Sequence, residues 1–136
     1  MPIRYARTPD LEKLAQEIIL LLEMHHVRLD RFACVRSIGS KSSGVVARLH
    51  SIPKIWKEAL GIESSYVIEV ISERFDRFDQ DEKEKTIIHE LLHIPRAFGG
   101  GFRHQKDYVT SRRVTRLHHD LKKRREKQAE RMTETV

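Results

Sequence analysis

His89, Glu90 and His93 stand within Thr-Ile-Ile-His-Glu-Leu-Leu-His, residues 86–93. On a helix, side chains four apart share a face with their Cβ atoms roughly 6 Å apart, so both imidazoles can reach one cation. Glu90 is then placed to take a proton from a water on that cation, the division of labour of the HExxH zinc pattern. Ile87, Ile88, Leu91, Leu92 and Ile94 surround the three polar residues, as expected of a helix that carries them through the protein interior. Two plainer readings compete: a helix that merely contains two histidines, and a zinc site that only holds the fold together. Structural zinc sites are usually four-coordinate and rich in thiolates. This chain has one cysteine, Cys34, inside the apolar run Phe32-Ala33-Cys34-Val35, where a buried core thiol is the expectation.

An open catalytic site needs a third protein ligand and a free fourth position. His104 follows the pair across Pro95-Arg96-Ala97-Phe98 and Gly99-Gly100-Gly101, and three glycines let the backbone turn back on its own helix. His104 is the expected third ligand of one Zn²⁺ per chain, with Asp107 and Asp120 as carboxylate alternatives. His118 and His119 are poor candidates if 104–119 is one helix, since a rise of 1.5 Å per residue would carry them roughly 21 Å from His104. Tyr108, one turn past His104, could hydrogen-bond a developing oxyanion, and a packing role competes with that reading.

These residues require elements to hold them. Thr8-Pro9-Asp10 opens a helix whose apolar positions Leu11, Leu14, Ala15, Ile18, Leu21 and Leu22 keep the helical period to about Met24. Phe32–Ile38 and Val45–His50 are β-prone runs separated by a polar turn with glycine at both ends, and read as a hairpin. Pro53–Leu60, stopped by Gly61, is a short helix or turn, and Tyr66–Ser72 is a third strand, apolar on both faces. Asp79 and Asp81, with Glu82 and Glu84 three residues on, start the helix of the motif, and Pro95 ends it. A last charged helix is expected from about 104 to 130. The fold class is α/β (α+β): a minimal core with an N-terminal helix, a mixed sheet of about three strands, the motif helix and a long C-terminal helix. There is no internal repeat and no linker.

At 136 residues this is one domain, able to bury roughly two thirds of its unfolded surface. The longest apolar stretch, Ile18–Leu22, is far below the ~20 residues of a membrane span, so no membrane contact and a cytoplasmic location are expected. The net charge of +6 is uneven. Residues 112–136 hold nine Lys and Arg against four Asp and Glu, whereas residues 1–111 hold 17 against 16. A nearly neutral body at 1–111 thus carries a basic helical extension at 112–136. Lys122, Lys123, Arg124 and Arg125 place four cations in about one turn, with few acids on the same helix to pair them. A solvated face is one reading; weak, sequence-independent nucleic-acid binding is the other.

His89-Glu90-Leu91-Leu92-His93-Ile94-Pro95, the glycine run and Arg103-His104 resemble the small archaeal and phage metallopeptidases related to the SprT-like zincins. The resemblance covers about 64–110 well and the rest by order of elements. It implies a compact zincin core with His89, His93 and His104 as ligands, Glu90 as general base, and a protein or peptide substrate. It also implies an edge strand ahead of the motif helix that binds substrate backbone by strand addition. Tyr66, Val67, Ile68, Glu69, Val70 and Ile71 occupy that place in the order of elements. Gly99 stands where the extended metzincin pattern has its third histidine, and no cysteine-rich ribbon is present. The function expected is a zinc endopeptidase; the alternative is a nucleic-acid-associated protein with an inactive or structural zincin core.

Overall fold

A computed structural model describes residues 2–41, 43–96 and 108–134. In chain order they form β1 (Arg4–Arg7), α1 (Pro9–Leu21), a 3₁₀ turn (Leu29–Arg31), β2 (Phe32–Ile38), β3 (Ala47–Ser51), α2 (Lys54–Leu60), β4 (Tyr66–Ile71), α3 (Ser72–Phe75), α4 (Gln80–His93) and α5 (Ser111–Glu134). The class is mixed α and β, with four strands rather than about three. The strand absent from the sequence reading is β1, whose four residues are all exposed and so carry no apolar alternation to read.

The sheet runs in the order β1-β2-β4-β3, with β2 and β4 parallel and the two outer pairs antiparallel. β2 and β3 are therefore not a hairpin. β4 lies between them, and the connection 39–46 must span two strand spacings, roughly 9.6 Å. Gly39 and Gly44 turn it at φ +95° and +84°. β4 takes the middle because its residues are buried on both faces apart from half-buried Val67, and a strand so covered is stable only with a neighbour on each side.

Alternation along the strands sends Phe32 and Cys34 of β2 and Tyr66, Ile68 and Val70 of β4 into one core with the helices. Leu11, Ala15, Ile18 and Ile19 of α1 reach that core at the spacing of a single helical stripe. Ile87, Ile88, Leu91 and Leu92 of α4 and Val114 and Leu121 of α5 complete it. α1 stops at Leu21, short of Met24, as the chain passes through a left-handed Glu23 at φ 53°. α5 begins at Ser111, not near 104: Thr110 Oγ1 accepts from Arg113 N at 3.1 Å, satisfying a first-turn donor. No described helix is long and apolar enough to cross a membrane.

Candidate metal centre

The motif helix starts where its acids predict. Asp79 caps α4 by accepting from Glu82 N at 2.8 Å, and Ile94-Pro95 ends the helix just after His93. Leu91 and Leu92 pin the helix into the core, which turns His89 and His93 outward together. Their Nε2 atoms are 3.1 Å apart, with ring centroids at 4.8 Å and an interplanar angle of 70°. Two nitrogens bound to one zinc at ~2.05 Å and a tetrahedral angle would stand ~3.3 Å apart. Partial burial first, and the neighbouring His93 second, hold the His89 pKa below the ordinary imidazole value, which keeps its lone pair free of a proton near neutrality.

The same spacing suits an N–H···N hydrogen bond between two neutral rings, and Glu90 decides between the readings. Its side chain is buried, and its Oε2 has no hydrogen-bond partner among the described residues. Burial pushes its pKa up to about 7. A buried carboxylate without a donor is costly unless a cation or a water stands beside it. Ligand atoms of His89, Glu90 and His93 all lie within 4.8 Å of one another, so the residues present fit a metal with an adjacent base. His104 and Asp107, the first candidates for the remaining ligand, lie outside the described residues.

His89 and Glu90 line a cleft of about 610 Å³. One wall is Gly44-Val45-Val46-Ala47, leading into β3; the floor is the His89 face of α4; the far wall is Ser111, Val114 and Thr115 of α5. Here the expected edge strand is corrected. Tyr66 to Ile71 pair with β2 on one side and β3 on the other, so Val67, Ile68, Glu69 and Val70 have no open edge to offer. Glu69 is engaged as well, accepting from His50 Nε2 at 2.8 Å. Among the described residues the edge strand beside the motif is β3. Its run Val45–His50 was legible as a strand, but its position in the sheet was not, because pairing order is set by contacts distant in sequence.

Tyr108 is placed away from this cleft. It lines a second cavity beyond the end of α4, where the Arg113 guanidinium lies 4.4 Å above its ring. The basic run is placed differently again. Lys122 Nζ meets Asp81 Oδ2 at 2.8 Å, Arg124 donates to Leu21 O at 2.6 Å, and Arg125 pairs with Glu17 and, at 2.8 Å, with buried Glu84. Lys123 is exposed. Acids of α1 and α4, far away in sequence, thus supply the counter-charge that α5 itself lacks.

His118 was set aside as a ligand on the premise of a helix running from 104, and α5 starts too late for that premise. It is nevertheless occupied: buried, it meets Glu84 Oε1 at 2.9 Å and lies 3.9 Å from Asp81. Burial alone would raise the Glu84 pKa, but hydrogen bonds from Gln80, His118 and Arg125 outweigh it and hold the value below normal. With Arg125 and Lys122 already on these acids, Asp81, Glu84 and His118 form a compensated ion-pair network rather than a second cation site.

Over residues 3–134 the sequence matches the family described as "Putative phage metallopeptidase". The chain belongs to that family. No curated protein and no solved structure matches it. For a metallopeptidase the geometry is coherent: a helix that carries two adjacent imidazoles and presents one of them, with a buried carboxylate, to a cleft beside the edge strand β3.

Proposed function

We propose that the protein is a zinc endopeptidase in which His89 and His93 hold the metal, His104 completes the protein ligands, and Glu90 is the general base. The observation that carries this reading is the buried Glu90 Oε2, without a partner among the described residues, beside two imidazole nitrogens 3.1 Å apart at the margin of a cleft. When bound, the zinc supplies Lewis acidity, lowering the pKa of water it carries toward ~7 and polarising the scissile carbonyl. Glu90, held near 7 by burial, is matched to accept a proton and return it to the leaving amine around neutral pH. The outer edge of β3, unpaired among the described residues, offers backbone groups to an extended peptide, which would lie as a fifth strand with its scissile bond over the His89 face of α4.

The test is metal content together with hydrolysis of an unfolded protein. The wild type should carry one zinc per chain and cut internal bonds. Glu90→Gln should keep the zinc and lose turnover by on the order of 10² or more, the share that a general base contributes. His89→Ala and His93→Ala should lose both. If Glu90→Gln retains full activity, the base is misassigned; if His104→Ala retains full zinc while Asp120→Ala loses it, the third ligand is.

A further inference from the structure

The second cavity, about 500 Å³, lies between the end of α1, the end of α4 and the first turns of α5, and its lining is unusual in charge. Arg96, Arg113 and Arg116 all border it. Elsewhere Arg7, Arg28, Arg31, Arg36, Arg124 and Arg125 each sit on a carboxylate. These three do not, and among the described residues neither do Arg4, Arg74, Arg77 and Arg112; what sets the three apart is that they share one cavity. Glu23 is the one acid on the described lining, and its Oε2 is 3.6 Å from Arg124, so its charge is already shared.

We propose that this cavity is a binding site for a phosphate group, held by Arg96, Arg113 and Arg116. Arg113 and Arg116, three apart on one helix, repel each other across a face where their Cβ atoms are roughly 5–6 Å apart, and an anion between them relieves that repulsion. Arg113 is partly ordered in advance, since its guanidinium already stacks on Tyr108 at 4.4 Å. Buried Met24 and Leu92 and half-buried Leu22 and Leu117 give the cavity an apolar side that strengthens charge-assisted hydrogen bonds. A carboxylate is satisfied by one bidentate guanidinium. Three guanidinium-bearing side chains around one cavity suit a tetrahedral oxyanion that carries about −1.5 to −2 at neutral pH. The site is distinct from the metal cleft, because α5 turns Ser111, Val114 and Thr115 toward one cavity and Arg113, Arg116 and Leu117 toward the other. It is also distinct from Lys122–Arg125, and it stands whether or not the chain is a peptidase.

The phosphate has two possible sources, a free phosphate compound or a nucleic-acid backbone, and the experiment separates them. The full-length protein is titrated with inorganic phosphate at constant ionic strength, and separately with a random DNA duplex, while the arginine Nε–H signals are followed by NMR. Arg113 and Arg116 signals should shift with phosphate while that of exposed Arg112, on the same helix but outside the lining, stays put. Arg113→Gln combined with Arg116→Gln should weaken phosphate binding at least ~10-fold, and Arg112→Gln should not. If duplex affinity falls in parallel and its logarithmic salt slope drops by about 2, the backbone is the source; if only free phosphate is affected, a small phosphate compound is. No shift of Arg113 or Arg116 in the wild type up to tens of millimolar phosphate overturns the proposal. So does a double variant that binds phosphate as well as wild type.

Discussion

At the residue scale, Glu90 combines two consequences of one cause. Desolvation lifts its pKa toward neutrality, which suits proton transfer, and the same desolvation makes the ionised form costly to the fold. The sign of that cost is testable in protein stripped of metal. The folded pKa of about 7 lies above the ordinary glutamate value of 4.5, so the folded chain holds this proton more tightly than the unfolded one. The associated stability is fully present below pH 4.5, falls as pH rises through the window, and is gone above 7. Glu90→Gln removes the loss, so the stabilisation of the variant relative to wild type should be larger at pH 8 than at pH 5.5, by about 2 kcal/mol. Urea denaturation of both chelated proteins measures it, and an equal difference at the two pH values would show that Glu90 is not desolvated. Glu84 titrates in the opposite sense in both proteins and cancels in the comparison, because its lowered pKa makes stability fall as pH falls. The His89, Glu90 and His93 grouping was readable from sequence because i, i+4 proximity on a helix is a local fact. That one oxygen of Glu90 would be buried without a partner was not, since it depends on what the fold packs over it.

At the scale of elements, the cleft is built by two segments that sequence periodicity found but could not place. β3 has the right residues for a strand, and α5 the right residues for a helix. Strand order and helix docking are non-local, so β4 was taken for the edge and the last helix was taken to begin near 104 rather than at Ser111. The structure makes Thr115, an exposed residue on the first turns of α5, part of the cleft wall opposite β3. Thr115→Trp should therefore obstruct an added strand without touching the metal. The expected outcome is at least a ~10-fold loss in kcat/KM, about 1.4 kcal/mol of lost transition-state binding, with zinc content and thermal midpoint unchanged. His119→Trp, one turn further along the helix and outside the cleft lining, is the control and should keep full activity. Equal activity of the two variants would mean that substrate does not pass between β3 and α5.

For the whole molecule, the distribution of charge is the part that composition describes and the fold reinterprets. The sequence shows a neutral body followed by a self-repelling basic helix, which suggests a dispensable tail open to an acidic partner, with truncation after Leu117 leaving the catalytic body intact. The structure corrects this: the partners are Asp81, Glu84, Glu17 and Glu23 of the body itself, and α5 is bound across α1 and α4. Removing 118–136 would take away Leu121, whose side chain is fully buried, and would strip Glu84 of His118 and Arg125, two of its three hydrogen-bond donors. Losing a buried leucine costs about 2–5 kcal/mol, and a buried carboxylate left without its cations costs about 3–5 kcal/mol more. Against a total stability of about 5–15 kcal/mol, that is enough to unfold the chain or bring it close to unfolding at 37 °C. Truncation after Gln128 removes only positions from 129 onward, where every described residue is exposed, and should shift the thermal midpoint by no more than a few degrees. Melting curves of the two truncated proteins decide the matter: if the chain ending at Leu117 melts as cooperatively and at the same temperature as the full-length protein, α5 is an appendage and the ion pairs at Glu84 do not hold the metal helix in place.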